Sequence, residues 1–101
     1  MIKHIVMWSL KDEHEGMSKN DIAEKIKKDL ENLPHTIREI HKIEVGINEK
    51  EAPAACDVSL YSVFASWDDL AAYQQHPDHQ KVVDFVKQVV VDRHVVDYEG
   101  F

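Results

Sequence analysis

The 101-residue sequence has a single cysteine, Cys56, no long apolar run and few clustered basic side chains. One cysteine excludes an internal disulfide framework and a cysteine-based zinc site. No apolar stretch reaches the roughly 18 residues of a membrane span, and residues 1–20 lack the pattern of a secretion signal. No basic run is longer than Lys27-Lys28, and the formal charge of −7 excludes a nucleic-acid binder. We therefore expect a cytoplasmic protein with no nucleic-acid and no membrane partner.

The remaining composition is that of an ordinary globular protein, with 44% hydrophobic and 31% charged residues. This length predicts one domain over residues 1–101. A single core of this size is only marginally adequate, which favours oligomerisation.

The hydrophobic patterns predict the element order β-α-β-β-α-β, with the second helix split in two. Ser18 and Asp21 form a capping pattern before the first helix, and Pro34 ends it. The His76-Pro77 step separates the two parts of the second helix. The predicted strands are residues 2–10, 36–47, 57–65 and 91–98, and the predicted helices are residues 19–33, 67–75 and 77–90. This order is typical of a ferredoxin-like α+β fold, with helices on one face of a four-stranded antiparallel sheet.

Both faces of the first strand carry large apolar side chains. The alternation places His4, Val6 and Trp8 on one face, and Ile5 and Met7 on the other. A histidine between apolar neighbours is expected to be partly buried and to need a partner. Together with Ile40, the apolar residues of the second face predict a homodimer in which two sheets cover each other.

Three stretches of the sequence resemble the stress-responsive A/B barrel (Dabb) family. They are Ile2-Lys3-His4-Ile5-Val6 running on to Lys11-Asp12-Glu13, Tyr73-Gln74-Gln75-His76-Pro77-Asp78-His79, and Asp92-Arg93-His94-Val95-Val96-Asp97-Tyr98. With the matching element order, the resemblance covers essentially the whole chain. It implies a dimeric α/β barrel built from two ferredoxin-like units.

The resemblance also implies a set of site residues. One enzyme of this family closes a linear polyketide in an aldol-type reaction, without a metal or an organic cofactor. Its catalytic tyrosine and histidine match Tyr73 and His79, its pocket histidine matches His4, and its acidic residue matches Asp97. Two of its polar pocket positions are Ile26 and Val58 here. With Val6 and Trp8 beside His4, we expect a small and mostly apolar pocket that binds a small molecule.

Acid–base chemistry at these residues follows from their types and positions. His79 would lie in the first turn of a helix, where the helix dipole favours the neutral imidazole that a general base needs. Asp97 could orient His79, and the Tyr73 phenol could stabilise an enolate oxygen. The predicted reaction is cofactor-free proton abstraction next to a carbonyl group, as in a cyclase, an isomerase or a lyase.

Other interpretations of the same residues stay open. In the non-catalytic one, a small-ligand-binding or stress-associated dimer, His76 caps a helix, His79 packs against Tyr73, and Asp97 stabilises the fold. A metal site at His76 and His79, with Asp78 between them in sequence, is disfavoured by Pro77 and by the lack of a third ligand nearby. A cofactor-free oxygenase has no decisive mark in the sequence.

Overall fold

In the computed structural model, which describes residues 1–101, helices cover one face of a four-stranded antiparallel sheet. The strands of this sheet are β1 (Ile2–Leu10), β2 (Lys42–Ile47), β3 (Val58–Phe64) and β4 (Val90–Glu99), in the spatial order β2-β3-β1-β4. A separate short hairpin pairs Glu13–His14 with Met17–Ser18. The helices are α1 (Lys19–Glu31), α2 (Trp67–Gln75) and α3 (Pro77–Val89). The predicted ferredoxin-like fold with a split second helix is confirmed. None of the helices has the length and apolarity that a membrane crossing requires.

Strand β1 lies between β3 and β4 and carries the inner face of the sheet. Its alternate residues, Ile2 to Leu10, are buried under the helices, as predicted. Antiparallel pairing places each β1 residue opposite one residue of each neighbour, and opposite residues point to the same side. His4 therefore shares the inner face with Ser62 of β3 and Asp97 of β4.

The second strand is shorter than predicted, because it begins at Lys42 and not at Thr36. The 3₁₀ turn Leu33–His35 precedes it, and the Leu33 carbonyl accepts hydrogen bonds from the amides of both Thr36 and Ile37. These turn bonds satisfy the backbone without a partner strand. Ile37 and Ile40 point into the core, so Ile40 does not belong to the open face of the sheet.

The helices begin where the capping patterns predicted. Ser18 Oγ accepts a hydrogen bond from the Asp21 amide at 3.1 Å, and Asp21 Oδ2 accepts one from the Ser18 amide at 3.2 Å. His76 ends α2 in an extended conformation, as expected before a proline, and its Nδ1 accepts from the Asp78 amide at 3.1 Å. The predicted helix-capping role of His76 is thereby confirmed.

The outer face of the sheet, on the side away from the helices, carries several large apolar groups in solvent. Met7, Val96 and Tyr98 are 42%, 51% and 44% exposed. Ile5 lies directly opposite Val96 on the same face. This apolar outer face is continuous across the two neighbouring strands β1 and β4.

Loss of the α1 cap should destabilise the protein. We expect Ser18→Ala to lower the unfolding free energy by about 1 kcal/mol, because it removes the side-chain acceptor of the Asp21 amide. For a domain of this size the melting temperature should fall by about 4–8 °C, measured by circular dichroism. Ser18→Asp keeps an acceptor at the cap and should melt close to the unaltered protein. Equal melting of the alanine variant would contradict the capping role.

Candidate active site

A cavity of about 100 Å³ lies between the inner face of the sheet and the helices. Most of its wall is apolar and comes from Val6, Leu30, Leu60, Val82, Val83 and Val86. Its other lining residues are His4, Trp8, Gln74, His79 and Arg93. The volume is below the roughly 150 Å³ of a cavity that holds benzene, so the site suits a compact molecule. A larger depression of about 300 Å³ contains no histidine and is more open to solvent.

Of the five residues predicted to line the pocket, His4, Val6 and Trp8 do so and two do not. Ile26 is fully buried in the core, and the cavity is lined one helical turn later by Leu30. Val58 borders the larger open depression, and Leu60, two residues further along β3, takes its place in the cavity. On α1 and on β3, the residue that lines the cavity is therefore the next inward-facing one after the residue that was predicted.

Asp97 binds His4, although it was predicted to orient His79. The two residues lie directly opposite each other on β1 and β4, and His4 Nδ1 is 2.5 Å from Asp97 Oδ1. Because a carboxylate only accepts hydrogen bonds, Nδ1 of His4 carries the proton. In the neutral form of this buried ring, Nε2 is the nitrogen with the free electron pair. The register of the two strands decides this pairing.

His79 lies in the first turn of α3, as predicted, and forms part of the cavity wall. Its Nδ1 is 3.2 Å from the carbonyl oxygen of Gln74 and donates to it, which leaves Nε2 unprotonated. Burial lowers the pKa of His79, with smaller contributions in the same direction from His4 and His76, against the opposing effect of the Gln74 carbonyl. The ring is therefore neutral near pH 7, mainly because of burial.

The ring of Tyr73 packs against the ring of His79 and lies near that of His4. Its ring lies 4.3 Å from that of His79, 6.3 Å from that of His4 and 4.9 Å from that of Phe64, measured between centroids. The predicted packing of Tyr73 against His79 is thus present, but Tyr73 is fully buried and is not part of the cavity wall. Its hydroxyl has no hydrogen-bond partner, and burial raises its pKa well above the ordinary value. The phenol therefore stays protonated and has its O–H available to donate a hydrogen bond.

The alternative metal site does not form around His76 and His79. Nδ1 of His76 accepts from the Asp78 amide, so its electron pair is already used in capping α3. No three histidine, cysteine or acidic side chains are grouped so that they could hold a metal ion.

Among the polar residues of the site, sequence reasoning missed Gln74 and Arg93. Gln74 acts through its backbone carbonyl, which no side-chain pattern reveals. Arg93 lines the cavity from the last strand. It shares the parity of Asp97, and this parity was the signal that could have placed it on the inner face.

The fold and the site together define a ferredoxin-like α+β domain with a histidine-lined cavity, and comparison with known families agrees. The model of the stress responsive A/B barrel domain, Dabb, matches residues 2–100, so the chain belongs to this family. No curated protein matches the sequence.

Solved structures share the fold over nearly the whole chain. A dimeric protein of unknown function from Bacteroides fragilis is 35% identical, with a TM-score of 0.86 over 98% of this chain and 95% of the other. A dimeric ferredoxin-like protein from Thermobifida fusca is 25% identical, with a TM-score of 0.83 over 98% and 90%. A hydroxynitrile lyase from Passiflora edulis is 19% identical, with a TM-score of 0.79 over 99% and 95%, and shares the fold alone.

The lowered pKa of His79 should make the protein sensitive to acid. We expect the imidazole NMR signals of His79 to titrate below the value of about 6.5 of an unfolded chain. The unfolded state then binds more protons as the pH falls, so the unfolding free energy should decrease between about pH 7 and pH 5.

His79→Gln should lose less stability over this pH range than the unaltered protein does. His35→Gln, which alters an exposed histidine, should lose as much as the unaltered protein. Chemical denaturation at about pH 7 and pH 5 measures the unfolding free energy of each protein. An equal loss in all three proteins would show that other groups cause the acid sensitivity.

Proposed function

We propose that this chain binds a compact carbonyl compound in the cavity and catalyses proton transfer next to the carbonyl group, without a cofactor. The observation that carries the proposal is the pair of imidazoles in one small cavity, each with its tautomer set by a hydrogen bond from Nδ1. In both rings the free electron pair is then on Nε2. Paired tautomer control of this kind is what a proton-transfer site requires.

His79 is the proposed base, because its ring is neutral and lines the cavity. Its Nε2 takes the proton from the carbon next to the carbonyl, the C–H electron pair forms a carbon–carbon double bond, and the carbonyl electrons move to oxygen. The product is an enolate and an imidazolium. Where a double bond adjoins the α carbon, the enolate extends over it, and return of the proton to the far carbon gives an isomer. Attack of the enolate carbon on a second carbonyl group of the same molecule, with protonation of the resulting alkoxide by the imidazolium, gives ring closure.

His4 and Asp97 are proposed to assist this step as a pair. Asp97 holds the His4 ring in one orientation, and a carboxylate in this position stabilises an imidazolium when one forms. His4 therefore offers a second site for a proton on the same cavity wall. Its burial keeps water from competing for that nitrogen.

Tyr73 is proposed as the donor to the enolate oxygen. Its hydroxyl is buried, protonated and without a partner, so no existing hydrogen bond has to break before it donates. A donor without a competing partner can stabilise charge that develops only during the reaction. Because Tyr73 does not line the cavity, its side chain would have to shift on substrate binding to bring the hydroxyl to the enolate oxygen.

Hydrogen–deuterium exchange tests the proposal without knowledge of the natural substrate. In D₂O, the protein should speed the exchange of the protons next to the carbonyl of acetone, butanone or propanal, followed by proton NMR. We expect His79→Gln to lower the exchange rate by about 10²–10⁴-fold. Tyr73→Phe should lower it by about 10²–10³-fold with little change in melting temperature, because no hydrogen bond is lost.

His35→Gln provides the matched control, because His35 is exposed and lies outside the site. This variant should exchange the probe protons at the rate of the unaltered protein. Exchange no faster than with an equal concentration of free imidazole would reject catalysis. The cavity would then be the site of a non-catalytic ligand-binding module.

We also propose that the protein functions as a homodimer joined through the apolar outer face. Met7, Val96 and Tyr98 leave more than two fifths of their surface in water, which is unfavourable for a sheet face. The 35% identical relative from Bacteroides fragilis is dimeric. A second copy of the chain is the partner with a surface that matches this patch by symmetry.

A charge in the middle of the outer face should separate the dimer. We expect light scattering to give twice the chain mass of 11.7 kDa for the unaltered protein and the single mass for Val96→Lys. Gln88→Lys adds the same charge on the exposed side of α3 and should stay dimeric. A monomeric unaltered protein at micromolar concentration would contradict the proposal.

A further inference from the structure

The cavity wall near Trp8, further along β1 from His4, carries two hydrogen-bond donors that no group of this chain accepts from. Trp8 and Arg93 are direct partners across β1 and β4, so their side chains share the inner face. Both line the cavity. Trp8 lies two inward-facing positions along β1 from His4. At a strand rise of roughly 3.3 Å per residue, the Cα atoms of the two residues are about 13 Å apart.

The indole of Trp8 is the first of these donors. Trp8 is 6% exposed, and its Nε1 is buried without a hydrogen-bond partner. An indole nitrogen can only donate. Buried donors in native structures nearly always have an acceptor, so the vacant one calls for an oxygen or nitrogen atom from outside the chain.

The guanidinium of Arg93 is the second donor. It makes no hydrogen bond or ion pair with another side chain, and Arg93 is exposed, so water solvates the guanidinium until a ligand takes its place. Among the residues that line the cavity, Arg93 is the only lysine, arginine or acidic residue. The lining therefore offers a positive charge and a neutral donor to a molecule whose remaining surface meets valine and leucine side chains.

We propose that Arg93 and Trp8 bind the carboxylate group of a compact, otherwise apolar acid. A guanidinium presents donors in a planar fork that matches the two oxygens of a carboxylate. Trp8 Nε1 would donate to one of the same oxygens. The apolar body of the ligand would lie against Val6, Val83 and Val86, which line the cavity between its two polar ends.

This inference rests on the proposed function and names its substrate class, a small oxo acid. The carboxylate at Arg93 would direct the carbonyl end of the molecule towards His79 and His4. The cavity volume of about 100 Å³ restricts the acid to a short or branched chain. Arg93 points to the inner face, so dimerisation through the outer face leaves it free to bind.

Ligand binding tests the inference separately from catalysis. Isobutyrate is the probe, and isobutyramide, its uncharged counterpart of similar shape, is the matched ligand. Trp67→Phe removes the exposed second tryptophan, so that fluorescence reports on Trp8 alone, with calorimetry as the independent measurement. We expect saturable binding of isobutyrate and at least about tenfold weaker binding of isobutyramide, because charge-assisted hydrogen bonds are lost.

Variants locate the binding group. Arg93→Gln should weaken isobutyrate binding by at least about tenfold and leave isobutyramide binding unchanged, whereas Arg93→Lys should retain part of the affinity. Arg38→Gln is the control, because this arginine is 95% exposed and does not line the cavity. The melting temperature of Arg93→Gln should not change, since the side chain has no partner to lose.

Three results would overturn the inference: equal affinity of the unaltered protein and Arg93→Gln for isobutyrate, equal affinity for isobutyrate and isobutyramide, or binding of inorganic phosphate as tight as that of isobutyrate. His79→Gln should still bind isobutyrate. If proton exchange fails while isobutyrate binding depends on Arg93, the proposed catalysis is wrong and the carboxylate site stands.

Discussion

The antiparallel register between β1 and β4 decides which side chains meet on the inner face of the sheet. In this register His4 lies opposite Asp97 and Trp8 lies opposite Arg93, each pair on the same side of the sheet. A shift of one residue would send all four to the other face or to different partners. The burial of Ile2, Val6 and Leu10 under the helices holds the register in place, because any slip would expose these side chains to water. Both polar ends of the cavity depend on this one constraint.

The helix break at His76 and Pro77 supplies the other half of the site. It turns the chain between α2 and α3, so that the Gln74 carbonyl at the end of one helix meets the His79 ring at the start of the next. The break also places Tyr73 against His79. The result is a neutral imidazole held by backbone atoms on one side and by an aromatic ring on another. Such a ring has little freedom to turn, and a proton-transfer residue needs this fixed orientation.

Local patterns predicted the elements well and failed where a distant contact decided the outcome. The helix boundaries and the inward face of β1 depend on capping residues and alternation, which are local. The segment from Thr36 to His41 alternates like a strand, but the turn after Pro34 and the burial of Ile37 and Ile40 keep it out of the sheet. Asp97 was assigned to the wrong histidine for a similar reason, since its partner lies 93 residues earlier in the sequence.

The sequence alone determined the ferredoxin-like order of elements, the family, and His4, Tyr73, His79 and Asp97 as candidate polar residues of a mostly apolar pocket. The tertiary structure alone decided that Asp97 binds His4, that Leu30 and Leu60 rather than Ile26 and Val58 line the cavity, and that Arg93 and Trp8 present unpaired donors to it. Hydrophobic periodicity and caps are properties of neighbouring residues, whereas hydrogen-bond partners and cavity walls arise from strand register and helix packing. Those depend on residues that are far apart in the chain.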